Sequence, residues 1–176
     1  MNRLLAIVAL LSQAAIGNAE WTGPVEVQHD GKRCLTYRAR WSGDYVVVET
    51  AIEPGWHTFA MDNKQRQAEK LAGKPSLGIE RPTEIRFVDG LEAEGGWLQS
   101  EPKDFSKPDI RWYTWGFDTR ALFAAKTKQR AAGRIAIRGQ ACTESICKNI
   151  DVSIALPAPA SGSSGMDLKS LIPVRQ

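Results

Sequence analysis

The sequence predicts an all-β protein, an antiparallel β-sandwich carrying a short helical insertion. Three observations lead there. Several runs alternate apolar and polar residues with a period of two, the pattern of strands buried on one face. Turn formers such as Pro54-Gly55 cut these runs to strand length. The composition, 43% hydrophobic and 24% charged with six tryptophans, is that of a folded globule, and 176 residues leave room for one such domain.

Residues 1–19 stand outside this fold. A basic start at Arg3 precedes an apolar stretch, and the segment closes on Gly17-Asn18-Ala19, with small residues suited to cleavage after Ala19. The stretch is shorter than the roughly 20 residues a membrane-spanning helix needs, and no later segment is more apolar. A signal peptide is therefore expected, leaving a soluble, exported chain in a compartment that permits disulfides.

The elements follow in order. Residues 33–41 place Leu35, Tyr37, Ala39 and Trp41 on one face and Cys34, Thr36, Arg38 and Arg40 on the other. Residues 45–52 are rich in β-formers and stop at Pro54-Gly55. Residues 56–61 and 83–88 read as further strands. Between them, the polar segment 62–73 is expected to be a surface helix, N-capped by Asp62 or Asn63 and stopped at Gly73. Residues 97–108, with Pro102, Pro108 and acidic side chains, are expected to form a long loop. Two runs near the end alternate cleanly: Ile135 and Ile137 oppose Arg134, Ala136 and Arg138, and Ile150, Val152, Ile154 and Leu156 oppose Asp151, Ser153 and Ala155. From Pro157 the Pro, Ala, Ser and Gly composition is that of a linker. The expected domain is 20–157, followed by a flexible tail, 158–176.

A net charge of +3 without a basic run does not suit nucleic acid. Hydrolase elbow, phosphate-loop and H-E-x-x-H motifs do not occur. Three cysteines are too few for a disulfide-built scaffold. The chemistry is expected at Cys142 and Cys147, four residues apart between the two alternating runs, where a tight loop can bring their Cα atoms within disulfide range. Spacing leaves several readings open. The pair can be redox-active, or it can be a structural staple in a non-catalytic binding module. Cys34 can bond either cysteine, although its place beside Thr36 and Arg38 disfavours a core bond and points to an unpaired thiol. Three cysteines with His29 and His57 can supply metal ligands, but a second closely spaced pair is missing, so no metal or other cofactor is expected.

The stretch from Gly139 through Cys142 and Cys147, followed by a strand ending in Leu156-Pro157, resembles the cysteine motif of the amino-terminal periplasmic domain of the thiol:disulfide interchange protein DsbD. In sequence order, Pro54-Gly55-Trp56-His57-Thr58-Phe59 resembles that family's early aromatic strand, and Pro82-Thr83-Glu84-Ile85 the start of its next strand. Asp104-Phe105 sits where the family has a cap loop with an aromatic residue over the disulfide. The resemblance covers residues 23–157. It implies an immunoglobulin-like β-sandwich whose Cys142/Cys147 pair passes electrons from a membrane donor to thioredoxin-like or other oxidised periplasmic proteins, with Cys147 as the site of the mixed disulfide. It implies Phe105 as a shield and His57 and Phe59 as neighbours of the pair. Three departures stand out. Lys148-Asn149 follows the second cysteine where the family often has Pro; Lys148 would favour a Cys147 thiolate, and Glu144 would oppose it. The polar insertion after Met61 is longer than expected. Full DsbD continues into membrane helices and a thioredoxin-like domain, so here a separate membrane donor is expected.

Overall fold

The computed structural model describes residues 20–74, 77, 80–160 and 165–176. The expected signal peptide and residues 161–164 of the expected linker lie outside the described residues. The strands are β1 (Val25–His29), β2 (Lys32–Ser42), β3 (Tyr45–Ile52), β4 (His57–Phe59), β5 (Glu84–Val88), β6 (Leu98–Gln99), β7 (Lys103–Asp104), β8 (Trp115–Phe117), β9 (Arg120–Lys126), β10 (Gly133–Cys142), β11 (Cys147–Leu156) and β12 (Ile172–Pro173). One helix, α1 (Asn63–Lys70), follows β4.

All strand pairs are antiparallel and fall into two sheets. One runs β1-β2-β3-β9-β6-β12; the other runs β11-β10-β4-β8-β7, with β5 also paired to β10. β5 takes residues 134–138 of β10, and β4 takes Ala141 and Cys142 further along the same strand. The alternating side chains meet between the sheets as expected: Leu35, Tyr37, Ala39 and Trp41 of β2 share a core with Ile135 and Ile137 of β10 and Ile150, Ile154 and Leu156 of β11. This is the all-β, immunoglobulin-like sandwich with a short helical insertion.

Four expectations need correction. Cys34 is free, as expected, but it does not lie on the outer face with Thr36 and Arg38: it is fully buried in the core cluster. The cause is a β-bulge. Val27 pairs with Leu35 and Gln28 with Arg33, so Cys34 is an extra residue that breaks the alternation and turns inward beside Leu35. Residues 97–108 are not one loop, for they hold β6 and β7. Helix α1 is not a surface element throughout: Asn63 and Arg66 are buried, held by polar contacts rather than by an apolar stripe.

The fourth concerns the tail. Residues 166–176 pack onto the sandwich. β12 pairs with β6 and extends the first sheet. Leu171 forms a second apolar cluster with Val47 and Ala124 on the face of that sheet turned away from the core, flanked by Trp21, Tyr45, Leu98, Leu122, Met166 and Leu168. This cluster over Val47, with Arg38 and Arg120 paired to Glu49, explains why every residue from Val46 to Thr50 is buried. β3 is covered on both faces, and its Val46-Val47-Val48 run is the sequence trace of that burial.

Candidate functional site

The site grows from the β10–β11 hairpin. Ten residue pairs in unbroken register, from Gly133 opposite Leu156 to Cys142 opposite Cys147, bring the two sulfurs to its last rung. Cys142 and Cys147 are joined by a disulfide with Cα atoms 4.1 Å apart, close to the ~4.5 Å of a narrow antiparallel pair. The four-residue connection is closed by its own bonds. The Thr143 N–H donates to the Ile146 carbonyl at 2.8 Å. The N–H groups of Ser145 and Ile146 donate to Thr143 Oγ1 at 3.3 and 3.1 Å. These turn bonds and the nine other register pairs do not involve the sulfurs.

The two sulfurs differ in access. Cys142 is 2% exposed, whereas Cys147 is exposed, as are Glu144, Ser145 and Ile146 before it. Cys142 is flanked within its own sheet. Its register partner is His57 on β4, and the Thr58 hydroxyl donates to the Gln140 carbonyl at 2.9 Å, pinning the two strands. The His57 ring stands edge-on to Phe59 at 5.3 Å and meets Phe105 at 5.6 Å. Phe59 is fully buried; His57 and Phe105 are half-buried. Burial pushes the His57 pKa down; nearby Asp118 opposes this and Lys107 adds to it. The imidazole is thus held neutral at neutral pH.

The expected residues therefore gather as one group, with one change of arrangement. The ring that Phe105 covers is His57, on the Cys142 side, and Cys147 stays open. Lys148 lies within electrostatic reach of the third cysteine. Its charge acts on the buried Cys34 thiol, which burial raises and Lys148, with a backbone hydrogen bond from His29, pulls back down. Neighbouring residues on a strand point to opposite faces, so adjacency in sequence does not place Lys148 at the Cys147 sulfur.

Phe105 sits on a second hairpin, residues 103–117, built from β7 and β8 with a 3₁₀ turn at Pro108–Ile110. Lys103 pairs with Gly116 and Asp104 with Trp115. The Phe105 N–H donates to the Thr114 carbonyl at 2.9 Å, and the Thr114 N–H to Ser106 Oγ at 3.1 Å. Gly116 lets this hairpin approach β4: a Cβ there would stand 2.1 Å from the Thr58 carbonyl oxygen.

Several residues that hold this hairpin were not legible as functional. Asn63 Oδ1 accepts the Trp115 N–H at 2.8 Å, and its Nδ2 donates to Thr114 Oγ1 at 3.2 Å. Gln67 Nε2 donates to the Tyr113 carbonyl at 2.8 Å. The Trp112 indole N–H donates to the carboxylate of Glu80, a buried group whose pKa burial pushes up against that bond. The one signal was that α1 has no apolar stripe. A helix polar all round must be held by hydrogen bonds or be unstable. At the root of α1, buried Asp62 accepts bonds from Arg66 Nε at 2.8 Å, Gln99 Nε2 at 2.7 Å and the Arg175 N–H at 3.2 Å. Burial alone would raise its carboxyl, but these donors hold it below the usual carboxylate range.

No family model matches the sequence, and no curated protein matches it. Solved structures share its fold. The chain is similar to the N-terminal periplasmic domain of ScsB from Proteus mirabilis, with a TM-score of 0.53 and 20% identity over 82% of this chain and 55% of that one. It is also similar to the DsbD N-terminal domain of Neisseria meningitidis in the reduced form, with a TM-score of 0.50 and 11% identity over 81% of this chain and 91% of that one. The chain thus spans about half the length of the ScsB chain it matches. At these identities the likeness establishes a common fold.

Proposed function

We propose that this chain is a thiol–disulfide exchange protein of the DsbD amino-terminal-domain type, exported and acting outside the cytoplasm. It carries electrons from a membrane donor to oxidised extracytoplasmic proteins through Cys142 and Cys147. The observation that carries this reading is the asymmetry of the disulfide. It closes the end of a hairpin that is already in register, with one sulfur buried and the other open. A bond meant only to brace the fold has little to add there.

The steps follow from thiol chemistry. A donor thiolate attacks Cys147 Sγ; the S–S bond breaks, and Cys142 leaves with the electron pair and takes up a proton. The donor's second thiolate attacks its own sulfur in the mixed disulfide, releasing the Cys147 thiolate and leaving the donor oxidised. In the forward half-reaction the Cys147 thiolate attacks an acceptor disulfide. Cys142, deprotonated, then resolves the mixed disulfide and restores the Cys142–Cys147 bond. Two electrons and two protons pass to the acceptor. Neutral His57 beside Cys142 places no fixed charge against that sulfur, and the roof of His57 and Phe105 keeps solvent oxidants from it.

The test is the equilibrium of the pair against glutathione or a thioredoxin-like protein. A reduction potential in the exchange range of roughly −120 to −270 mV supports the reading, and one below about −300 mV assigns the bond to structure. In cells, Cys142→Ser is expected to accumulate mixed disulfides through Cys147 with thioredoxin-like partners. Equal trapping by Cys147→Ser would contradict the assignment of roles.

A further inference from the structure

The helical insertion and Glu80 converge on one element, the 103–117 hairpin that carries Phe105. Asn63 and Gln67 lie one helical turn apart on α1, so they project from the same side of the helix. They bind three successive residues of the returning strand: Tyr113, Thr114 and Trp115. Asn63 is fully buried and makes its bonds where water has no access, so each counts for more than a surface contact. Glu80 holds the hairpin farther out, through Trp112, whose ring also lies under the Lys107 ammonium at 4.8 Å. Thr114 passes the constraint across the hairpin, since its carbonyl accepts from Phe105 and its N–H donates to Ser106. The Phe105 ring rests on His57, the register partner of Cys142.

We propose that Asn63, Gln67 and Glu80 are positioning residues that clamp this hairpin over Cys142 and thereby confine thiol attack to Cys147. The inference rests on the exchange reading of the pair and adds what decides which sulfur reacts. Attack at Cys142 would expel Cys147, leaving the partner joined to a buried sulfur and the resolving thiol facing solvent. The clamp prevents that order of events. The polar insertion is therefore part of the redox site, although none of its side chains touches a sulfur.

The experiment uses the full chain reduced with a phosphine, then alkylated with iodoacetamide, with labelling at each cysteine followed by mass spectrometry. Cys34, fully buried in the core cluster, reports global opening. In the parent protein Cys147 labels first. In Gln67→Ala, and independently in Trp112→Phe, Cys142 is expected to label about fivefold faster, with Cys147 changed less than twofold and Cys34 still protected. An unchanged Cys142 rate in both variants overturns the clamp, as does a rise at Cys34 parallel to that at Cys142, which would mark general destabilisation. The chemical reductant makes the dithiol whatever its potential. A potential in the structural range therefore removes the exchange reading alone, and an unaltered labelling ratio removes the clamp alone.

Discussion

Opening the Cys142–Cys147 bond should leave the sandwich standing and cost little. The bond closes a loop with a sequence separation of five. In the chain-entropy model such a small loop removes about 7 cal/mol/K from the unfolded ensemble, or about 2 kcal/mol at 25 °C. The native side of the balance barely moves. Nine further register pairs, down to Gly133 opposite Leu156, and the Thr143–Ile146 bond persist without the sulfur link. For a domain of this size about 2 kcal/mol lowers the midpoint by roughly 4–8 °C. By linkage, folding stabilises the disulfide by the same amount, which places the folded pair only about 45 mV below the same pair in an unfolded chain. The measurement is thermal unfolding of the oxidised and phosphine-reduced protein by near- and far-ultraviolet circular dichroism. A fall of more than about 15 °C, or loss of the near-ultraviolet signal on reduction, would refute the reasoning. It would mean that the hairpin depends on the bond and that the scaffold is not equally fit for both redox states.

Three further outcomes follow from the same geometry. Gly116→Ala sets a methyl group 2.1 Å from the Thr58 carbonyl oxygen, where both sides are backbone and neither can swing away. It should cost about 3 kcal/mol, seen in urea unfolding, and should raise Cys142 labelling by parting β8 from β4. Asp62→Ala leaves buried Arg66 with only the longer 3.9 Å pair to exposed Glu101 and should cost about 3 kcal/mol. In the parent protein the Asp62 carboxyl is held low, so the unfolded chain binds its proton more readily. Its contribution is complete above the ordinary carboxylate pKa and fades as pH falls through the lowered one, and acid titration of the difference between parent and Asp62→Asn measures it. Leu171→Ala uncovers Val47 and Ala124 and should cost about 2 kcal/mol. The rate of exchange with small thiols should stay unchanged, because that cluster lies on the face of the first sheet turned away from the core.

Much of the architecture is written in local periodicity. Alternation along 33–41, 135–138 and 150–156 follows from each strand burying one face, so the order of residues alone names most of the core side chains. That Cys142 and Cys147 could pair was legible because a short loop between two such runs brings them together, although spacing left a bond from Cys34 open. Other features fail the same rule for identifiable reasons. Cys34 escapes it because a bulge inserts one residue, and a period of two has no memory past such a slip. β9, with Ala121, Ala124 and Ala125 buried, gives no alternating signal because both of its faces are covered. The docked end of the chain reads as linker and tail because two paired residues and one buried leucine are too little pattern to register.

The amino-acid order alone indicated the longest strands of the sandwich and put Cys142 and Cys147 within reach of each other, since both depend on neighbours a few positions apart; it left a bond from Cys34 open. Which sulfur faces solvent, that Phe105 rests on His57, and that a wholly polar helix holds the roof in place were decided by segments distant in sequence. Those contacts are hydrogen bonds and ring packings between side chains whose partners have no periodic spacing, and they exist only once two sheets have closed around a common core.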